Sequence, residues 1–211
     1  EGAYFFTAND AIPVTIGSRP PIHQSSITAS HYALDSHAVR KREEGRVHLD
    51  GFLSYPSAVY TVPYGVMVPK EVGNLLLPVP VSGSHIGFST LRMEPCWMAM
   101  GQAAGIASAL SIDGKVKVQN IDLSRLQDKL VDQKATLMYF KDVDYTSPHF
   151  RMVQYLGLRG YLPEWTARLQ EPVDMATLTA WKKLSGKDLP GIEAGKTTRL
   201  VALEMIYRKI K

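Results

Sequence analysis

The sequence lacks the features that mark disulfide-rich, membrane-spanning and metal-binding proteins. Its 211 residues include a single cysteine, so an intrachain disulfide is excluded. It has no apolar run long enough to cross a bilayer. It also has no H-x-x-x-H pair, no paired cysteines and no dense cluster of carboxylates, and we therefore expect no metal site.

The charge of the chain indicates no particular partner. The formal net charge is +4, and the isoelectric point lies near 9.1. Lysines and arginines are dispersed apart from Arg40-Lys41-Arg42 and the last few residues, which is typical of a solvated surface. We therefore expect neither nucleic acid nor a membrane as partner. The length permits one large or two small domains, and the 45% hydrophobic content is sufficient for packed cores.

Residues 59–110 are the most informative part of the chain. The nearly continuous apolar run from Asn74 to Ser82 predicts a strand that is buried on both faces of a sheet. Pro78 and Pro80 lack the amide hydrogens that a central strand needs. We therefore expect this strand to pair mainly through residues 75–77.

A Gly/Ser/His loop over residues 82–89 is predicted next, where two glycines would permit a close backbone approach. A helix should then begin near Met93 or Glu94 and continue to about Leu110. Its unpaired amide groups and the positive end of its dipole would face the loop and favour an anion or an electron-rich carbonyl. An ordinary strand, loop and helix, whose glycines serve only the turn, would show the same local pattern.

Short motifs run through this region in a fixed order: Tyr32-Ala33-Leu34-Asp35-Ser36-His37, Val62-Pro63-Tyr64, Val68-Pro69-Lys70, Asn74-Leu75-Leu76, Ser82-Gly83-Ser84-His85, Leu91-Arg92-Met93-Glu94-Pro95 and Gly101-Gln102-Ala103-Ala104-Gly105. Together they resemble the C-terminal part of FAD-dependent oxidoreductases of the xanthan-lyase-related type. The resemblance implies that this half closes over the isoalloxazine end of FAD. It also implies that the residues bordering the flavin are Ser82, Gly83, Ser84, His85, Arg92, Met93 and Glu94.

The chemistry of two of these residues agrees with that resemblance. A reduced flavin carries negative charge near N1 and O2, which Arg92 could stabilise, although a salt bridge to Glu94 or to another acid is the alternative. His85 could bond to the cofactor or donate a proton to the substrate, because imidazole titrates near neutrality, or it could be structural. His37 is a second catalytic candidate, and it depends on the resemblance.

One part of a flavoprotein is not found in the sequence. No G-x-G-x-x-G follows a strand, although this fingerprint binds the pyrophosphate of FAD. The chain begins with Glu1-Gly2-Ala3, with neither an initiator methionine nor a signal region. We therefore expect a missing N-terminal dinucleotide-binding half as partner, and weak or no FAD binding by this chain alone.

Three local features complete the first part of the chain. Asp122 is a plausible N-cap for a helix with Leu126 and Leu130 on its apolar face. Cys96 lies early in an apolar helix, which favours a buried structural thiol over a nucleophile. The alternation over residues 47–52 predicts a strand with His48 at the surface.

Residues 139–211 indicate a separate helical module. Three helices are predicted: one from Phe150 to Leu158, one from Asp174 to about Leu184, and one from Thr198 to Tyr207. The order Phe140-Lys141-Asp142-Val143 and then Thr198-Arg199 resembles a single S-layer-homology module, a family that binds anionic wall polysaccharide. Leu200-Val201 follows in place of the family's carboxylate, so an accessory helical domain is the preferred interpretation, with glycan binding as the rival.

The sequence thus predicts an α+β chain in two parts. Residues 1–137 would be the C-terminal portion of a flavoprotein-like α/β domain, and residues 138–211 a small all-helical module. The predicted function is that of a piece of an FAD-dependent oxidoreductase, inactive alone, whose complete form transfers a hydride from a carbohydrate-related or other small organic substrate to flavin. The alternative is a carbohydrate- or cell-wall-binding accessory protein without redox activity. The resemblance to an S-layer-homology module favours export from a bacterial cell. The sequence predicts no particular compartment.

Overall fold

The computed structural model describes residues 1–38, 44–45 and 51–211. The chain divides into two compact units, Glu1–Met138 and Tyr139–Lys211, which we call unit 1 and unit 2. Its helices and small two-stranded sheets give it a mixed α+β class, as predicted. Arg40-Lys41-Arg42, His48 and most of the strand expected over residues 47–52 lie outside the described residues.

Unit 1 contains four short strands and three α-helices among its described residues. The strands are β1 (Ser26–Ser30), β2 (Leu34–Ser36), β3 (Leu53–Tyr55) and β4 (Tyr60–Pro63), and the helices are α1 (His85–Leu91), α2 (Glu94–Gly114) and α3 (Leu123–Asp132). Short 3-10 helices cover Ala8–Asp10, Tyr64–Met67 and Val118–Asn120. β1 pairs antiparallel with β4, and β2 pairs antiparallel with β3.

The strand expected over residues 74–82 is wrong, because the structure has no strand there. The segment bonds to its neighbour at separate points, with the Leu77 amide donating to the Met67 carbonyl and the Ser82 amide to the Val66 carbonyl. Pro78 and Pro80 supply no amide hydrogen, which prevents a continuous ladder. Leu75 and Val79 are also 38% and 44% exposed, so the run is not buried on both faces.

The loop expected over residues 82–89 is wrong beyond Ser84, because α1 begins at His85. The Ser84 side chain accepts a hydrogen bond from the Gly87 amide and so caps this helix. The predicted close backbone approach is confirmed at Gly83 and Gly87. A Cβ on Gly83 would lie 2.9 Å from the carbonyl oxygen of Phe6, and a Cβ on Gly87 would collide with the same oxygen.

The predicted start of α2 at Glu94 is confirmed, and the helix ends at Gly114, one turn beyond Leu110. Lys115 then adopts a left-handed conformation with φ of 50°, which stops the helix. One side of α2 packs on β1 and α3 through Met100, Ala103 and Ala107, all fully buried. The α3 prediction is also confirmed, with Asp122 as its cap and Leu126 and Leu130 in the core.

Unit 2 is built on three helices: α4 (Phe150–Leu158), α5 (Met175–Ser185) and α6 (Arg199–Ile210). All three predicted helices are therefore confirmed, with Asp174 and Thr198 as the side-chain caps of α5 and α6. Its core includes Val153, Leu156, Leu203 and Ile206, each fully buried. In the described parts of both units, no helix combines the length and the apolar character needed to span a membrane.

Candidate functional site

Two segments that lie about fifty residues apart in the sequence meet at the surface of unit 1. One is the end of β2, with Asp35 and Ser36, and the residue after it, His37. The other is α1, which begins at His85 and has Arg92 as its C-cap. We call Asp35, Ser36, His37, His85 and Arg92 the β2–α1 cluster.

Arg92 is anchored to Asp35 rather than to Glu94. Its Nη2 lies 2.9 Å from Asp35 Oδ2 and 3.2 Å from the Asp35 carbonyl oxygen. The two side chains are 34% and 22% exposed, so the ion pair contributes at most about 1 kcal/mol to stability. Its main effect is orientation, because it holds the guanidinium against the end of β2.

His37 lies against the same pair and is 76% exposed. Its Nε2 is 3.3 Å from Asp35 Oδ2 and 3.3 Å from Arg92 Nη2. The two contacts require opposite roles of this nitrogen, since it must donate to the carboxylate and accept from the guanidinium. Whether Nε2 carries a proton therefore decides whether His37 bonds to Asp35 or to Arg92.

His85 is held by the neighbouring residue of β2. Its Nε2 lies 2.7 Å from the hydroxyl oxygen of Ser36, a residue that is only 3% exposed. The Asp35 amide donates to the Ser89 hydroxyl at 3.1 Å, and this hydroxyl donates in turn to the Ile86 carbonyl. These bonds attach β2 to the first turns of α1. They therefore fix the positions of the two segments that contain His37 and His85.

The remaining predicted site residues lie elsewhere or in different roles. Ser82 and Gly83 contact the N-terminal segment, where the Phe6 amide donates to the Ser82 carbonyl. Ser84 caps α1, and its hydroxyl is therefore engaged. Met93 and Glu94 begin α2, whose N-cap Met93 supplies no side-chain hydrogen bond. The Ser82 hydroxyl is buried and has no partner in the part of the chain that the structure describes.

Sequence reasoning missed Asp35, Ser36 and Ser89 as site residues. Asp35 and Ser36 belong to the motif around His37, which was the available signal. Their bonds to Arg92 and His85 depend on tertiary structure, and nothing in the local pattern indicates them.

Cys96 is buried near the start of α2, as predicted, and burial raises the pKa of its thiol. Such a thiol is a poor nucleophile, because the thiolate is the reactive form. Within the described ranges, no group of three or more His, Cys, Asp or Glu side chains is placed to hold a metal ion.

The site can bind an electron-rich or anionic group. The first turn of α2 has no side-chain cap, and Arg92 directly precedes this turn. Pro95 has no amide hydrogen, and the Cys96 and Trp97 amides donate to the Met93 carbonyl. The start of α2 and the Arg92 cation are donors of the kind that suits an electron-rich oxygen. This arrangement is suited to an oxygen-rich cofactor or substrate, and it indicates the class of proteins that bind one.

The comparison with known families identifies the class of protein more narrowly. The family model for FAD dependent oxidoreductase matches residues 1–130, and the chain belongs to this family. The family uses FAD, so the resemblance to flavin oxidoreductases is confirmed at this level. No curated protein and no solved structure matches the chain.

Proposed function

We propose that unit 1 forms the flavin-facing part of an FAD-dependent oxidoreductase that acts on a carbohydrate-related or other small organic substrate. The observation that carries this proposal is the β2–α1 cluster, in which Asp35 anchors Arg92 two residues before the start of α2. Bound FAD would supply the acceptor for a hydride from the substrate. The xanthan-lyase-related resemblance supports a carbohydrate context for the reaction.

The residues of this chain would bind and orient the flavin and the substrate, and each would have its own role. Arg92 and the first turn of α2, with Met93 and Glu94, would stabilise negative charge on the flavin. His85 and His37 would face the substrate and supply hydrogen bonds or protons. Ser82, Gly83 and Ser84 would border the cofactor, as the family resemblance implies.

We further propose a dinucleotide-binding unit as the partner of unit 1. The sequence has no G-x-G-x-x-G, so the pyrophosphate of FAD needs a glycine-rich loop from elsewhere. The outer side of α2 supports this partner: Met98 and Ile112 are 75% and 76% exposed, and no charged residue occurs from Pro95 to Ile112. Gly101 and Gly105 on this helix have open space where a Cβ would be.

Flavin titration of the complete gene product tests the role of Arg92. The Arg92→Gln variant should bind FAD at least about tenfold more weakly, because it loses one charge-assisted hydrogen bond. Arg125→Gln, an exposed arginine of α3, is the matched control and should bind FAD like the parent protein. Unchanged affinity in a folded Arg92→Gln variant would contradict the proposed flavin contact.

Glycan binding by unit 2 is the second candidate function. A cavity of about 360 Å³ in this unit is lined mainly by polar side chains, among them Ser147, His149, Gln170 and Glu171. Volumes of this size are typical of small-ligand sites. The Thr198-Arg199 pair is engaged internally, since Thr198 caps α6 and Arg199 donates from Nε to the Ala167 carbonyl.

Cosedimentation of the full chain with purified bacterial wall polysaccharide tests this second candidate. If the cavity binds glycan, the double variant His149→Ala and Gln170→Ala should lose retention. Lys183→Ala, an exposed change on α5, should keep it. Absence of retention by the unmodified chain would remove this candidate.

A further inference from the structure

The imidazole of His85 has one hydrogen-bond partner in the part of the chain that the structure describes. This partner is the Ser36 hydroxyl, 2.7 Å from Nε2. Ser36 is 3% exposed and lies in β2, whereas His85 is exposed at the first position of α1. A buried hydroxyl therefore holds one nitrogen of an exposed imidazole, and the other nitrogen, Nδ1, has no bond to a described residue.

The chemistry of a buried hydroxyl decides which nitrogen carries the proton. A neutral imidazole has one N–H donor and one acceptor nitrogen, and a serine hydroxyl can serve either. If Nε2–H donated to Ser36, the Ser36 O–H would be left without an acceptor among the described residues. An unsatisfied buried donor is unfavourable, so the hydroxyl should donate to Nε2. The proton of the neutral ring then lies on Nδ1.

The charged groups of the neighbourhood do not oppose this arrangement. Asp35 and Arg92 bond to each other. Asp10, on the 3-10 helix that packs against α1, accepts hydrogen bonds from Tyr4 and Thr7. Within the described ranges, no carboxylate contacts His85 and could reverse its tautomer.

We propose that Ser36 is a positioning residue that holds neutral His85 in its Nδ1–H tautomer. His85 then presents a fixed N–H donor at the surface of the β2–α1 cluster, and not a lone pair that could act as a base. Its ligand would be an acceptor oxygen, such as the carbonyl or hydroxyl oxygen of a cofactor or substrate. The identity of that ligand rests on the proposed function, whereas the tautomer does not.

Nitrogen-15 NMR of the histidine-labelled full chain tests this inference without cofactor. At about pH 8.5, two units above the ordinary histidine pKa, His85 should show a protonated nitrogen at Nδ1 and an unprotonated nitrogen at Nε2. The exposed His31 serves as an internal reference. A protonated Nε2 in His85 would overturn the inference. Because no flavin is present, failure of the flavin titration leaves this result unaffected.

Variants of Ser36 separate positioning from a general structural role. Ser36→Ala should shift His85 toward the tautomer mixture of His31, and Ser36→Thr should restore the Nδ1–H form because it keeps the hydroxyl. Ser54→Ala, an exposed change on the paired strand β3, should have no effect. A folded Ser36→Ala variant with an unchanged His85 tautomer would also overturn the inference. If Ser36→Ala does not fold, the His85 tautomer measured in the unmodified chain still tests the inference.

Discussion

Asp10 shows at the scale of one residue how a buried carboxylate fixes the N-terminal segment. It accepts a hydrogen bond of 2.5 Å from the Tyr4 hydroxyl and one of 2.7 Å from the Thr7 amide, and His23 Nε2 lies 3.1 Å away. Burial alone would raise the pKa of Asp10, but the nearby His23 and the bonds from Tyr4 and Thr7 outweigh it and lower the pKa to about 2.

This shift predicts a dependence of stability on acid pH. Because the folded pKa of Asp10 lies below its unfolded value of about 3.9, the stabilisation is complete above that value and is lost as pH falls toward 2. Its size is about 2 to 3 kcal/mol. Urea unfolding should therefore show Asp10→Asn to be less stable than the parent by about this amount at pH 7, with a smaller difference at pH 3.

Asp113→Asn is the control for this experiment, because Asp113 is exposed near the end of α2. It should match the parent within about 0.5 kcal/mol at both pH values. A constant difference between parent and Asp10→Asn from pH 7 to pH 3 would show that Asp10 does not stabilise through its charge.

At the scale of elements, α1 and α2 use glycine for different reasons. Gly87 on α1 is required by close packing, since a Cβ there would collide with the Phe6 carbonyl oxygen. Gly105 on α2 faces open space, where a Cβ would meet nothing within 4 Å. Glycine in a helix costs about 1 kcal/mol relative to alanine, and nothing in the described part of unit 1 requires this cost at Gly105.

The same substitution should therefore have opposite effects at the two positions. Gly87→Ala should destabilise the chain by about 2 kcal/mol, because backbone atoms must shift. Gly105→Ala should stabilise it by up to about 1 kcal/mol. Urea unfolding of both variants measures the two changes in one host. A neutral Gly87→Ala would contradict the close contact between α1 and Phe6.

In unit 2, α5 depends on a buried hydrogen bond from Trp181. Its Nε1 donates to the Tyr161 carbonyl at 2.7 Å, and the side chain is 2% exposed. Trp181→Phe should cost about 2 kcal/mol, because a buried carbonyl loses its donor and the core loses volume. Leu184→Met, at an exposed position of α5, should stay within about 0.5 kcal/mol in thermal or urea unfolding. A Trp181→Phe variant as stable as the parent would contradict this role.

At the scale of the whole molecule, the sequence predicts what is local and misses what is tertiary. The starts of α2, α3, α5 and α6 were predictable, because helix caps and apolar periodicity depend on residues that are close in the sequence. The strand expected at residues 74–82 was wrong because prolines removed its donors, although apolar composition alone favoured it. The β2–α1 cluster joins residues 35–37 to residues 85–92, and its bonds required the structure.

The family match also bears on the whole molecule. It covers residues 1–130, within unit 1, and leaves unit 2 without an assigned family. The net charge also differs between the two units. Residues 1–138 have equal numbers of acidic and basic side chains, and residues 139–211 have a net charge of +4. A basic second unit agrees with an acidic partner, such as the wall polysaccharide of the second candidate function.

The central claim is that this chain contributes the flavin-facing part of an oxidoreductase. The visible absorption spectrum of the purified full gene product, recorded beside that of this chain, tests it most directly. We predict a flavin band in the full product and a much weaker band or none in the chain alone. A folded full product that shows no flavin, even after FAD is added, would contradict the claim.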